Sequence, residues 1–340
     1  MQQAELYKIR ENQKYGFINR QGQVVIEAQY YEVEDFHNGF SRVKLNDKPV
    51  PMDPFGRLLL KNFFNFVGRF EEGLARVRLV NRWGFIDSRG NIAIEVRYED
   101  AGDFSEGLAA VRLHRQYGYL DAAGQRQIDY QFEWAGAFSR NMAPVGWAGE
   151  CGFIDSEGYE LFRLPYDQVA PYQGEVATIL HRRQWGLVDR SGNIIQTPRY
   201  TFDPDGSNGL FFEARALVEE RGLYGYIDTE GLPVVAPTFR DAGDFSEGLA
   251  PVRRSDHYGY IDRSGDIVIP LSFDDAGLFS EGLAPVRKGK KWGFIDPKGN
   301  PQIPFRYDLV MPFSRGLAWT EREGKWSYID EEGQVIWTEQ

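Results

Sequence analysis

Little in this chain is suited to chemistry. It has one cysteine, so no internal disulfide framework can form, and that scarcity fits a reducing compartment. The histidines, His37, His114, His181 and His257, stand far apart, with no HExxH or paired metal-ligand spacing. No P-loop, dinucleotide fingerprint or G-x-S-x-G elbow occurs. No stretch approaches the roughly 18 apolar residues of a membrane span. The opening MQQAELYKIR lacks a basic-then-apolar leader. A cytoplasmic location with no membrane association is therefore expected. Basic residues number 39 against 50 acidic ones, and the resulting charge of -11 works against a general nucleic-acid binder. Helical spacing is missing too: no segment keeps the apolar three-and-four spacing over the length of a normal helix, and Gly or Pro interrupts nearly everywhere.

Glycine, proline and aromatic residues are abundant: 37 glycines, 17 prolines and 15% aromatic residues among 340. Turns and packed rings in such numbers point to an all-β chain. The order comes from a repeat. Tyr15, Pro49, Trp83, Tyr117, Cys151, Trp185, Tyr224, Tyr258, Trp292 and Trp326 follow one another in steps of 34 residues, with a single step of 39. Glycine follows most of them; Val50 and Ser327 are the exceptions. Four residues after each comes Asp, or Asn19 in the first unit, and a glycine always stands three further on, as in Asp87-x-x-Gly90. A second phrase, DFSEGLA, runs from Asp103 and again from Asp244, with FSEGLA from Phe279 and looser copies elsewhere.

Each unit reads as three short strands, exemplified by Leu108–Val111, Trp83–Asp87 and Ile267–Pro270. Trp83 and Phe85 share one face, with Ile86 on the other. The rings are expected in the core, with Gly84 admitting a close neighbour. Asp87 is expected to accept backbone hydrogen bonds in a turn, and Gly90 to take positive φ. Ten units result, at about residues 6–39, 40–73, 74–107, 108–141, 142–175, 176–214, 215–248, 249–282, 283–316 and 317–340, read as a single repeat domain.

The phrase KWGFIDxxG, Lys291 to Gly299, together with FSEGLAxV, resembles the bacterial WG-repeat family. Trp83-Gly84, Trp185-Gly186 and Trp292-Gly293 carry the naming dipeptide. Pro49-Val50 departs from it, so an irregular second unit is expected. The resemblance implies β-rich repeat modules with no shared enzymatic activity. Ten units of three strands fit a propeller poorly, so an open β-solenoid or superhelix is the expected arrangement, with a closed or partly closed propeller-like ring as the alternative.

Catalysis needs one arrangement of unlike groups, whereas the Asp positions recur in every unit. No catalytic, cofactor or metal residues are assigned. Glu72, Glu106, Glu213, Glu247 and Glu281 share one position and suggest an external acidic row. Asp203, Asp205 and Asn208 lie in an insertion, DPDGSNG, that lacks the full calcium-loop pattern. Cys151 replaces a ring and is expected to be buried rather than nucleophilic. The hairpins after the LAxV strand carry Arg112, Arg115, Arg182, Arg183, Arg253, Arg254, Arg287, Lys288, Lys290 and Lys291. They would give a basic edge for an acidic peptide or protein tail. The expected function is a non-enzymatic binding or scaffold protein for a protein or peptide partner. The alternative is a structural, self-assembling array joined through the end strands at Leu6–Ile9 and Gln334–Trp337. Polyanion or metal binding ranks below both.

Overall fold

The computed structural model describes residues 5–59, 64–201 and 209–340, and every regular element among them is a β-strand. No described helix is long and apolar enough to cross a membrane. The chain divides into two compact units. One comprises Met1–Asn19, Gln23–His181 and Val188–Asn193; the other comprises Arg20–Gly22, Arg182–Leu187 and Ile194–Gln340. Both are tandem arrays of small antiparallel sheets with strands in chain order, and among the described residues no sheet is curled into a closed barrel.

The sheet at residues 100–132 shows the plan. Its strands are Asp100–Ala101, Leu108–Leu113, Gln116–Asp121 and Arg126–Phe132, each hydrogen-bonded to the next. The expected three strands are all present, and a fourth precedes them. It is only two residues long, pairing Asp100 with Arg112 and Ala101 with Val111. Two residues are too few to show a period of two, so the sequence pattern does not reveal it. Four-stranded sheets of the same order recur in the first unit at 66–98 and 134–164 and in the second at 211–239, 241–273, 275–307 and 309–338.

The glycine of the WG dipeptide shapes the outer strand. Trp292 pairs with Tyr307 and Phe294 with Ile303, so a two-residue step on one strand faces a four-residue step on the other. The outer strand bulges there. A Cβ on Gly293 would lie 2.6 Å from the Ile303 carbonyl oxygen, so only glycine admits the bulge.

The core lies between consecutive sheets. Phe85, Ile94 and Tyr98 of one sheet pack with Ala101, Phe104, Ala109, Val111 and Leu120 of the next. Tyr260, Ile269 and Phe273 meet Phe279, Ala284, Val286 and Ile295 in the same way. Edge-to-face ring pairs mark these junctions: Phe85–Phe104 at 4.9 Å, Tyr119–Phe138 at 4.9 Å and Phe294–Phe313 at 5.0 Å. The most buried ring is thus the one two residues after the Trp/Tyr position. Phe85, Tyr119, Phe153, Tyr226, Tyr260 and Phe294 are all at or below 1% exposure. Each contributes roughly 1.5–3 kcal/mol relative to an exposed ring. The expectation that the Trp/Tyr position is itself core needs correcting. Trp83, Tyr117, Tyr224, Tyr258 and Trp292 are half-buried, and only Cys151 and Trp185 are fully enclosed there.

The second unit is irregular, as Pro49-Val50 suggests. Ser41–Leu45 and Lys48–Met52 form a two-stranded sheet, extended by single bridges from Val33 to Val43 and from Met52 to Leu58. In the second compact unit, the Arg20–Gly22 turn packs on the last sheet: a Cβ at Gly22 would collide with the Ile336 carbonyl oxygen. Gly333 lies against Ile303 and Gly299 against Ile269 in the same manner, so turn-on-outer-strand packing is the repeating contact.

Candidate interaction surface

The Asp-x-x-Gly frame forms the expected turn. Asp87 Oδ1 accepts from the Arg89 and Asn91 backbone N–H groups at 2.9 Å each, and Gly90 has φ of 80°. Asp296 repeats this with Lys298 at 2.9 Å and Asn300 at 2.8 Å. The side-chain amide of Asn300, with the backbone donors, holds the Asp296 carboxyl below its ordinary value. These carboxylates are occupied by their own turns.

The glutamates of the FSEG phrase do not form a free acidic row. Each reaches the backbone of the following unit. Glu72 accepts from Gly107 N–H at 2.9 Å and Glu247 from Gly282 N–H at 2.9 Å. Glu106 takes the Arg140 and Asn141 N–H groups, and Glu281 those of Arg315 and Gly316. Ser105, Ser246 and Ser280 hydroxyls add a second link, each donating at 2.7 Å to a carbonyl of the next unit. Charge-assisted bonds of this kind are among the stronger ones. The acidic position therefore joins repeat to repeat.

Much of the expected basic edge is also engaged. Arg112 stands opposite Tyr117, Arg253 opposite Tyr258 and Arg287 opposite Trp292 in strand register. Their guanidinium carbons lie 5.7, 5.5 and 5.9 Å from those ring centres. Arg253 also approaches Asp241 at 3.7 Å, Arg287 reaches Asp275 at 3.4 Å, and Lys291 holds Asp308 at 2.5 Å. The basic residues thus cover the outer side of the half-buried rings. Arg254 is exposed but lies over the Phe239 ring, 5.0 Å from its centre, and Lys288 and Lys290 are exposed at a hairpin tip.

The other candidates are dispersed. His37 meets Glu71 at 3.0 Å, His181 meets Asp167 at 3.4 Å, His257 meets Asp274 at 3.8 Å, and His114 sits in a tight turn with φ of 53°. No three His, Cys, Asp or Glu side chains gather as a metal-binding group among the described residues. Cys151 is fully buried, and burial pushes its thiol up to about 12, which leaves it no thiolate at neutral pH. Asp203, Asp205 and Asn208 lie outside the described residues.

What the sequence does not reveal is a groove between consecutive units, on the side of the Asp-x-x-Gly turns. Its lining changes along the chain. In the first compact unit it is a space of about 560 Å³, lined by Phe40, Phe55, Arg57, Leu58, Leu59 and Arg89 among others. In the second it is a space of about 350 Å³, lined by Glu281, Asp296, Gln302 and Glu331 among others. Elsewhere in the second unit Arg263 crosses to Glu213 at 2.8 Å. Glu331 occupies the Arg263 place in the repeat relative to Glu281, which explains the acidic lining.

Stacked antiparallel sheets joined by repeat-to-repeat turns define a tandem β-repeat protein whose open ground is its inter-unit grooves. The family described as WG containing repeat matches residues 15–48, 52–81, 83–114, 117–146, 224–256, 258–292 and 292–326. The chain belongs to the WG-repeat family. No curated protein matches it. Among solved structures, a crystal structure of the eukaryotic initiation factor aligns at a TM-score of 0.56 and 12% identity, over 99% of this chain and 96% of that one. At that identity the likeness is one of fold. Weaker likenesses are to the dihydro-heme d1 dehydrogenase NirN, at 0.44 and 11% over 98% of this chain and 73% of that one, and to KlHsv2, at 0.40 and 8% over 76% and 93%.

Proposed function

We propose that this chain is a non-enzymatic scaffold that binds a protein or peptide partner along its inter-unit grooves, in the cytoplasm. One observation carries the reading: around the recurring turn Asp, the same groove is lined by Phe55, Arg57, Leu58 and Arg89 at one junction, whereas at another Glu331 stands beside the recurring Glu281 and Asp296. The recurring residues are used by the fold. The Asp side chains close turns, the Glu side chains join units, and the arginines cover rings. Variation confined to grooves on a rigid scaffold is how repeat proteins set specificity. A polyanion partner is less favoured, because the hairpin bases are largely engaged with carboxylates and rings.

Self-assembly through strand edges is the weaker reading. The outer strands carry exposed Glu27, Glu95, Asp129, Pro270 and Pro304, and charges and prolines on an edge discourage further pairing. The test is recovery of the tagged full chain from native extract, with the mass of the complex measured at two protein concentrations. A partner at fixed stoichiometry is expected. A mass that grows with concentration in the absence of any partner would favour self-assembly instead.

A further inference from the structure

The geometry points to the groove at the second repeat, in the first compact unit, as the docking site for an acidic peptide segment that carries an apolar anchor. This inference rests on the binding reading just given and names both the place and the partner chemistry.

The irregular second repeat gives this groove its apolar lining. Its Asp53–Gly56 turn presents Phe55 at 79% exposure, and Leu58 beside it is 40% exposed. Phe40 supplies a half-buried wall, its ring tilted against that of Phe70 with centroids 4.2 Å apart. The Arg57 guanidinium carbon lies 5.3 Å from the Phe55 ring centre, and aromatic and arginine side chains dominate binding energy at interfaces. A volume of about 560 Å³ is within the range that holds several side chains.

The polar rim fixes the sign of the partner. Asp53 is 6% exposed, and its carboxylate is already taken by the Phe55 and Arg57 backbone N–H groups, both at 2.9 Å, and by Arg57 Nε at 2.5 Å. The Arg57 side chain is nonetheless 74% exposed: its Nε side is held by Asp53 and its carbon lies over Phe55, while the remaining edge of the guanidinium meets solvent. Arg89, on the next turn, is exposed on the same groove. Two guanidinium groups open to solvent beside an apolar floor fit a leucine or aromatic side chain flanked by carboxylates. On a chain of net charge -11, such a rim attracts acidic segments where most of the surface repels them. The equivalent groove lined by Glu281, Asp296 and Glu331 has the opposite sign and supplies an internal control.

The experiment is selection of a random peptide display library on the immobilised full chain, followed by anisotropy titration of one labelled, enriched peptide. Enriched peptides should carry Asp or Glu next to Leu, Phe or Tyr. Their affinity should fall about tenfold or more in Arg89→Glu and in Phe55→Ser. It should weaken at high salt and be unchanged in Glu331→Lys. All three positions are exposed turn residues, so melting temperatures should match the parent. Enriched peptides that bind Arg89→Glu and Phe55→Ser as tightly as the parent would overturn this groove while leaving the scaffold reading intact. No enrichment at all would overturn the peptide site, while the scaffold reading is decided separately by the recovery from native extract. Concentration-dependent mass abolished by Phe55→Ser would show a second copy of the chain as the occupant and overturn the peptide assignment.

Discussion

The sheets at 100–132 and 134–164 follow one another in the same compact unit, with the same strand order, and they fill the same space differently. In the first, Asp100, Arg112 and Tyr117 stand at equivalent points on three strands; the tyrosine hydroxyl donates to Asp100 at 2.6 Å and the guanidinium covers the ring. In the second those places hold Trp134, Gly146 and Cys151. The indole of Trp134 occupies the space above Gly146, where any Cβ would collide with it, and it packs against the core that contains Cys151. The ring has moved from the third strand to the first, and the arginine has given way to glycine to admit it. What the repeat preserves is a filled volume shared by three strands rather than a residue at one position. The family match breaks off at residue 146, just before Cys151, and resumes at 224.

The largest effects should separate the two ring positions. Phe294→Ala and Tyr119→Ala remove rings that are fully enclosed between sheets and should cost about 3–5 kcal/mol each. Trp292→Ala removes a half-buried ring and should cost about 1–2 kcal/mol, in proportion to the apolar area lost. Urea denaturation midpoints at constant slope would check the order. A Trp292→Ala cost equal to that of Phe294→Ala would mean that the naming tryptophan is core after all.

The exchange between the two sheets can be broken directly. Gly146→Ala forces a Cβ into the Trp134 indole and should cost about 1–3 kcal/mol. Combining it with Trp134→Ala should recover part of that loss, so the double-mutant cycle should show coupling of about 1 kcal/mol or more. Additive losses would show that the indole and the glycine are independent, and the shared-volume account would fail.

Two classes of glycine sharpen the same point on a smaller scale. Gly299 and Gly282 have φ of 84° and 81°, so both strain any larger residue. A Cβ on Gly299 would stand 3.1 Å from Ile269 Cγ2, whereas one on Gly282 would meet nothing within 4 Å. Gly282→Ala should cost about 1 kcal/mol from backbone conformation alone, and Gly299→Ala should cost more. Equal melting temperatures for the two variants would remove packing from the explanation.

The legible part of this molecule is its local grammar. The Asp-x-x-Gly turn, the close approach at the WG glycine, the buried cysteine and the irregular second unit all follow from residue chemistry at short range. The two-residue first strand is too short to carry a pattern. The Glu72-type carboxylates look external because their acceptor role is completed 35 residues away, at Gly107 N–H. The arginines look like a free basic edge because cross-strand register, which sets each against a ring, is not visible in a list of charges. The grooves depend on turns from two neighbouring sheets, and only packing brings those together.

The smallest predicted effect concerns pH and again contrasts the two sheets. Burial first, and then the hydrogen bond to Asp100, raises the Tyr117 hydroxyl from 10.0 to about 12; burial raises the Cys151 thiol from 9.0 to about 12. Both groups hold their protons more tightly folded than unfolded. Their stabilisation is complete below the unfolded value and is lost as pH rises toward the folded one, since there the unfolded chain binds fewer protons. Cys151 therefore begins to cost stability above about pH 9, one unit before the tyrosines begin. Urea midpoints measured across that interval should fall slightly for the parent and stay level for Cys151→Val, with both falling together from about pH 10 upward as the tyrosines ionise. If Cys151→Val follows the parent curve from pH 9 onward, the thiol reaches solvent, and the indole of Trp134 does not seal the space that the missing ring leaves.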